Sequence, residues 1–262
     1  MLKKIQLTLQ SEYQISLPMS SLFHGVLIQQ LSRNYAEKMH ESTVRPYSQF
    51  LNEALNQWNI QVVNEEAAEE IEKPILKDDF SVLCLEKRGW NIPITEKKVI
   101  VKSYDELLKE TYFGNCKRYI TIKFLTPTAF KQKKNYVCYP DIRLLFQSII
   151  QKHDAIQNKT KFQDEQVLED IIEYTKIARY NLRTKPFDLE GIRIQGFVGT
   201  VTLKIGGPQM LVNLIHFLLS YAQYSGVGIK TAIGMGAMIV KEERRREDGK
   251  TEKGANYWKS IS

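Results

Sequence analysis

The sequence predicts an α+β protein built from two tandem β-α-β-β-α-β units, and three observations support this prediction. Residues 3–10 alternate apolar and polar side chains, as a half-buried strand does, and a second alternating strand at 119–125 begins the same order of elements again. A helix-like stretch follows each of these strands. The 262 residues are enough for two domains of about 100–130 residues each. Two such units in tandem describe a duplicated ferredoxin-like (RRM-like) fold.

In the first half, periodicity and turn residues predict the order strand, helix, strand, strand, helix, strand. The second strand is the extended stretch after Pro46, and Asn64 is suited to cap the second helix because its side-chain oxygen can accept from the first free amides. The remaining predicted elements are a helix at Leu22–Ala36, a strand at Trp58–Val63, a helix at Glu65–Leu76, a strand at Phe80–Glu86 and a connecting helix at Tyr104–Tyr112.

The second half repeats this order with one insertion. An acid- and lysine-rich insert at about 157–176 has helical spacing and is expected on the surface. The predicted elements are strands at Tyr119–Leu125, Arg179–Arg183, Ile192–Ile205 and Ala237–Val240, and helices at Asp141–His153 and Gln209–Tyr221. We therefore predict an N-terminal domain at 1–115, a C-terminal domain at 116–243 and a charged, mobile tail at 244–262.

The composition is that of an ordinary globular protein with a moderate excess of positive charge. Lysine and arginine number 37 against 30 acidic residues, a net charge of +7 that favours an anionic partner such as nucleic acid. The three cysteines, Cys84, Cys116 and Cys138, lack the spacing of a zinc site, and no apolar run is long enough for a membrane span. The sequence predicts a soluble cytoplasmic protein that needs neither metal nor cofactor.

A glycine-rich loop near the C-terminus is the most informative motif. It runs from Gly226 to Gly236, with two Gly-x-Gly steps around Lys230. Glycine permits positive φ and a close approach to a ligand, and successive backbone N–H groups can form a concavity for an anion such as phosphate. The loop follows a helix and precedes a strand, the reverse of a dinucleotide or P-loop site, so it favours a polyanion. A tight structural turn is the alternative. The residues predicted to bind RNA here are Gly226, Gly228, Lys230, Gly234 and Gly236.

His40 is the best candidate for chemistry. It lies in a predicted turn with Arg45 and Tyr47, and an imidazole can exchange a proton near neutral pH while a guanidinium stabilises charge that develops on a phosphate. A surface histidine in a polar loop is the alternative. For the other histidines we favour structural roles: His24 near the start of a helix, His153 at a helix end and His216 within an apolar helix.

A basic cluster of Lys131, Lys133 and Lys134, followed by Tyr136, is a second candidate RNA-binding site. Lysines pair with phosphates while a neighbouring ring stacks on a base. A solvated hairpin loop is an equal alternative. A run such as K/R-G-F/Y-G/A-F-V-x-F/Y, typical of RRM domains, is not found.

In this order, the pieces resemble the CRISPR-associated endoribonucleases that cut precursor CRISPR RNA within the repeat, members of the repeat-associated superfamily. The loop 226–236 resembles the superfamily's hallmark between its last helix and strand, and 196–201 is similar to the strand ahead of that helix. The segment 124–130 resembles the opening of the second domain. The residues around His40, followed by Arg45-Pro46-Tyr47, are similar to the family's catalytic-histidine turn.

This resemblance implies a metal-independent transesterification, in which the ribose 2′-OH attacks the adjacent phosphate and leaves 2′,3′-cyclic phosphate and 5′-OH ends. His40 is then the general base or the general acid. Some relatives add a tyrosine on the first helix, where this chain has Ile28, so Tyr35 or Tyr47 is expected to substitute. Arg45 lies where those relatives have a lysine, and keeps its charge with a different geometry.

The expected partner is precursor CRISPR RNA, together with possible subunits of a CRISPR effector complex, for a monomer or homodimer with no membrane. Two other functions stay open at this point. One is a non-catalytic RNA-binding subunit of an effector complex with the same fold. The other is a general RNA-recognition scaffold that uses aromatic residues on its sheet.

Overall fold

The computed structural model describes residues 1–157, 160–189 and 191–241. The predicted tail at 244–262 therefore lies outside the described residues. Among the residues that are described, no helix has the length and apolar character needed to cross a membrane.

A five-stranded antiparallel sheet forms the N-terminal half, in the order β2-β3-β1-β5-β4. Its first four strands have the arrangement of a ferredoxin-like unit, with β1 between β3 and β5. The elements are β1 (Leu2–Leu9), α1 (Ser20–Gln30), α2 (Arg33–Glu41), β2 (Tyr47–Asn52), β3 (Gln57–Val62), α3 (Glu65–Leu76), β4 (Val82–Leu85), β5 (Trp90–Lys102) and the connecting helix α4 (Tyr104–Glu110).

The strand predicted at Phe80–Glu86 is present, but it does not have the place in the sheet that the prediction gave it. The stretch Phe80–Glu86 contains β4, which pairs with the first part of β5 and forms the edge of the sheet among the described residues. The strand beside β1 is β5. Its apolar and polar side chains alternate less clearly than those of β1, because most side chains of β5 are exposed. Because most side chains of β5 are exposed or half-buried, its sequence lacks the apolar alternation by which a strand is predicted.

The predicted first helix is two helices. The chain breaks at Leu31, whose backbone is extended, and Ser32 then caps α2 by accepting from the amide of Tyr35. His40 consequently lies in the last turn of α2, and the turn predicted around it begins only at Ser42.

A four-stranded antiparallel sheet forms the C-terminal half, in the order β11-β6-β10-β9. This is again the ferredoxin-like arrangement, with the first strand of the unit, β6, between the last and the third. The elements are β6 (Tyr119–Thr128), the hairpin β7 (Phe130–Gln132) and β8 (Asn135–Val137), α5 (Ile142–Ile156), α6 (Glu165–Tyr174), β9 (Thr175–Leu189), β10 (Ile192–Ile205), α7 (Gln209–Ser225) and β11 (Met238–Lys241). The predicted fold class, two tandem ferredoxin-like units, is confirmed; the domain boundary at 115 stays a prediction.

Each half contributes side chains to the hydrophobic core of the other half. Leu2 and Val63 pack in the main core of the C-terminal half, whereas Ala232, from the glycine-rich loop, is 6% exposed and packs in the core of the N-terminal half. At the same contact the Ser48 hydroxyl donates to the carbonyl of Tyr224 at 2.8 Å. The glycine-rich loop is therefore a structural part of both halves.

A buried polar relay joins α4 to α5. The Tyr104 hydroxyl lies 2.7 Å from Nε2 of His153, and Nδ1 of the same ring lies 2.7 Å from the Asp154 carboxylate, which also accepts from the amide of Phe162. Burial lowers the pKa of His153, although Asp154 opposes this. His153 thus has the structural role that its helix-end position predicted, but inside the core.

Candidate active site and RNA-binding loop

The candidate catalytic histidine lies on the surface. His40 is exposed, while its neighbour Met39 is buried and anchors that turn of α2 in the core. Among the described residues, the His40 ring has no hydrogen-bond or ion-pair partner. An exposed and uncommitted imidazole is free to meet a substrate and exchange a proton with it.

A compact polar cluster of His24, Arg45 and Tyr47 lies at the start of β2. Nε2 of His24 on α1 is 3.1 Å from the Tyr47 hydroxyl, and the two rings are stacked. Burial and the positive charge of Arg45 lower the pKa of His24 to about 4, so this imidazole is neutral near pH 7. Burial raises the pKa of Tyr47 to about 12 against the opposing effect of Arg45. Arg45 thus lies close enough to act on both groups.

Two polar atoms of this region lack a partner. The Tyr35 hydroxyl and Nε of Arg45 are both buried without a hydrogen bond within the described residues. Burial and the charges of Glu66, Tyr47 and Glu70 raise the pKa of Tyr35. Buried polar groups are usually satisfied, so orphaned ones next to a candidate site suggest that a further group completes the cluster.

The structure therefore brings Tyr35, Arg45 and Tyr47 into one region, but it gives none of them a hydrogen bond to His40. Tyr35 and Tyr47 are 4% and 0% exposed, which favours positioning roles over direct contact with RNA. The sequence predicts only a structural role for His24 near the start of a helix, and it does not reveal the contact with Tyr47. The pairing joins α1 to β2 across 23 residues, and no local pattern indicates it.

The glycine-rich loop is packed more tightly than an open concavity. Its amides mostly donate within the protein: Gly228 to the Ser148 hydroxyl at 2.8 Å, Ile229 to the carbonyl of Ala129 at 3.0 Å, and Gly236 to that of Pro127 at 3.0 Å. These N–H groups are therefore unavailable to an RNA phosphate.

The glycines are explained by close approach to the protein's own backbone. Gly236 has φ +67°, and a Cβ there would lie 1.9 Å from the carbonyl oxygen of Val227. Gly228 has φ +76°, and a Cβ there would lie 2.2 Å from the carbonyl oxygen of Ala129. The three loop glycines Gly226, Gly234 and Gly236 are buried, whereas Lys230 is exposed. In this loop, Lys230 is the residue whose side chain is best placed to reach an anion.

The lysine cluster lies beside this loop. It forms the β7–β8 hairpin, whose first residue follows Ala129, the residue bonded to the amide of Ile229. Lys133 and Lys134 form the two-residue turn with φ +47° and +70°, a conformation that normally selects asparagine and glycine. Two lysines in this conformation carry an expected strain of about 1 kcal/mol or more. Together with Lys230, the hairpin makes one exposed basic surface.

The short helical turn Thr231–Ile233, which directly follows Lys230, contacts α1 and β2, the two elements that carry His24 and Tyr47. The described part of the chain contains no group of 3 or more histidine, cysteine, aspartate or glutamate side chains that could hold a metal ion. The arrangement offers an imidazole, a neutral histidine–tyrosine pair, a guanidinium and a basic surface.

Comparisons with known proteins identify the family of this chain. A family model described as CRISPR-associated endoribonuclease Cas6 matches residues 122–238. The Cas6 endoribonuclease of Mycobacterium tuberculosis is 31% identical over 227 residues, 86% of this chain and 72% of that protein. That of Streptococcus thermophilus is 29% identical over 225 residues, 85% of this chain and 91% of that protein.

Solved structures share the fold. A Thermus thermophilus Cas6 product complex superimposes with a TM-score of 0.77 at 22% identity, covering 92% of this chain and 100% of that one. A Cas6 bound to a substrate mimic gives a TM-score of 0.72 at 21% identity, covering 92% and 99%.

Fold, loop and relatives define an endoribonuclease of CRISPR RNA processing. The chain belongs to the Cas6 family of CRISPR-associated endoribonucleases, which confirms the resemblance seen in its sequence.

Proposed function

We propose that this protein cuts precursor CRISPR RNA within the repeat by a metal-independent transesterification. The ribose 2′-OH attacks the neighbouring phosphate, the bond to the 5′ oxygen of the next nucleotide breaks, and the products carry 2′,3′-cyclic phosphate and 5′-OH ends. The observation that carries this proposal is the exposed His40, whose ring has no partner among the described residues, in a chain of the Cas6 family.

In this mechanism His40 takes the proton from the 2′-OH or gives one to the leaving oxygen. Arg45 supplies positive charge for the phosphate as its negative charge grows in the transition state. The Nε of Arg45, which has no partner among the described residues, supports this role because an incoming phosphate oxygen would satisfy it. Tyr47, held by His24, lies beside the guanidinium and keeps it in place, and the buried Tyr35 acts through Tyr47.

The RNA backbone is held by the basic surface of Lys230, Lys131, Lys133 and Lys134, which are all exposed. Relatives with the same fold have been captured with product and with a substrate mimic, and this supports an RNA ligand here. Gly226, Gly228, Gly234 and Gly236 contribute by shaping the loop that presents Lys230, since their own surroundings are filled by protein.

The proposed reaction is tested with labelled repeat RNA in EDTA. We expect cleavage to proceed, and the upstream product to carry a cyclic phosphate that is detected by mass spectrometry. A single 2′-deoxyribose on the 5′ side of the cleaved phosphate should block the reaction without weakening binding. Cleavage of the deoxy substrate would exclude 2′-OH attack, and tight binding without any cleavage would favour a non-catalytic subunit.

Lys230→Ala is expected to weaken RNA binding without changing the chemical step. Removing one phosphate contact should lower the slope of log K against log salt by about 1. Fluorescence anisotropy at several salt concentrations measures both quantities. Lys73→Ala is the matched control, because Lys73 is an exposed lysine on α3 that pairs with the neighbouring Glu69. Equal affinities and slopes for the wild type and Lys230→Ala would exclude this role.

A further inference from the structure

A lysine lies beneath the glycine-rich loop. Lys152 on α5 is half-buried, and its Nζ donates to the carbonyl of Gly226 and to the Thr231 hydroxyl, both at 3.2 Å. Ser148, one turn earlier on the same helix, accepts from the amide of Gly228. The helix α5 therefore holds the loop at three points on either side of Lys230.

Within the part of the chain that the structure describes, the charge of Lys152 has no counterion. Its two acceptors are a carbonyl and a hydroxyl, and among the described residues no carboxylate forms an ion pair with it. A partly desolvated ammonium without a counterion is unfavourable. Burial accordingly lowers the pKa of Lys152 to about 7, so the side chain is partly neutral near physiological pH.

We propose that Lys152 is a positioning residue for RNA, which holds the loop in shape and gains its missing counterion when an RNA phosphate binds beside Lys230. This inference rests on the proposed RNA-binding role of the loop. A phosphate there favours the charged form of Lys152, so binding above pH 7 takes up a proton from solvent onto the neutral amine. The loop then binds RNA most tightly when Lys152 is protonated.

The charged and titratable groups around Lys152 must be considered as other sources of the pH dependence. On α6, the acidic residue fixed against α5 is Glu169, which pairs with Arg143 at the opposite end of α5. The other titratable groups on α5 and on the elements packed against it are Lys230 in the loop, Lys131 on β7, His216, Tyr221 and Tyr224 on α7, Glu165, Asp170, Glu173 and Tyr174 on α6, and Arg143, His153 and Asp154 on α5 itself. Burial is the cause of the lowered pKa of Lys152.

Three proteins separate a charge effect from a structural one: the wild type, Lys152→Arg, which stays charged, and Lys152→Met, which is never charged. The probe is repeat RNA with a 2′-deoxyribose at the cleavage position, measured at fixed ionic strength from pH 6 to pH 9. We expect the Kd of the wild type to rise over this range, by up to tenfold for each unit by which RNA raises the pKa. The Arg variant should bind tightly and the Met variant weakly, both with a flatter pH dependence.

The proposal would be overturned if the Kd changed with pH in the same way in all three proteins. It would also be overturned if Lys152→Met lowered the melting temperature but left RNA binding unchanged. If the variants do not fold, calorimetry on the wild type at pH 8 in two buffers of different ionisation enthalpy still decides. A net proton uptake on binding is expected, and none would refute the linkage. Wild-type cleavage of unmodified repeat RNA tests the proposed function separately.

Discussion

His40→Ala is expected to reduce the rate of repeat cleavage by about 10²–10⁴-fold, the usual contribution of a general acid or base. RNA affinity should change little, because the exposed ring contributes no charge-paired contact and the basic surface stays intact. Single-turnover kinetics with labelled repeat RNA measures the chemical step directly, and anisotropy measures binding in the same buffer. The variant should keep the wild-type melting temperature, since the side chain has no partner among the described residues.

Glu37→Gln is the matched control for this experiment. Glu37 lies one turn earlier on the exposed side of α2 and pairs with Arg33, a surface ion pair worth little to stability. The Glu37→Gln variant should cleave repeat RNA at the wild-type rate. If His40→Ala also cleaves at that rate, the assignment of His40 is wrong, and the polar cluster of His24, Arg45 and Tyr47 becomes the next place to search.

Gly236→Ala is expected to destabilise the protein by about 3 kcal/mol or more, because positive φ and a steric overlap act together. The added Cβ would lie 1.9 Å from the carbonyl oxygen of Val227, which is backbone and cannot rotate away. At about 2–4 °C per kcal/mol for a protein of this size, the melting temperature should fall by about 6 °C or more. Thermal unfolding followed by circular dichroism checks this.

Gly25→Ala provides the contrast. Gly25 lies within α1, and a Cβ there would meet nothing within 4 Å. Because alanine has the better helix propensity, this variant should be more stable by roughly 0.5–1 kcal/mol. A wild-type melting temperature for Gly236→Ala would show that the loop does not have the tight packing described above.

Much of the fold was predictable because regular patterns in the sequence indicate it. Asn64 and the acidic first turn of α3 fixed that helix at the predicted residues, and Asn64 accepts from the amide of Ala67 as expected. The alternation in β1 predicted a half-buried strand for the same reason. By contrast, β5 was missed because its exposed half lacks a clean apolar face, and the break between α1 and α2 was missed because Leu31 is apolar and fits a continuous helix.

The site was predictable only in part. His40, Arg45 and Tyr47 are close in sequence, so their residue types alone suggest chemistry. The contact between His24 and Tyr47, and the lysine beneath the loop, are long-range contacts that depend on how α1, β2 and α5 pack. The glycines suggested a phosphate cradle, but the space beside Gly228 and Gly236 is filled by the protein's own carbonyls, which no local pattern indicates.

The exchange of residues between the two cores has a consequence for biosynthesis. Ala232 is translated long after the strands that it packs against, and Leu2 must wait for the C-terminal core that receives it. Neither ferredoxin-like unit can therefore complete its packing while the chain is still emerging from the ribosome. The loop that carries Lys230 is synthesised after the whole N-terminal half, so a partly synthesised chain lacks this part of the proposed RNA-binding surface.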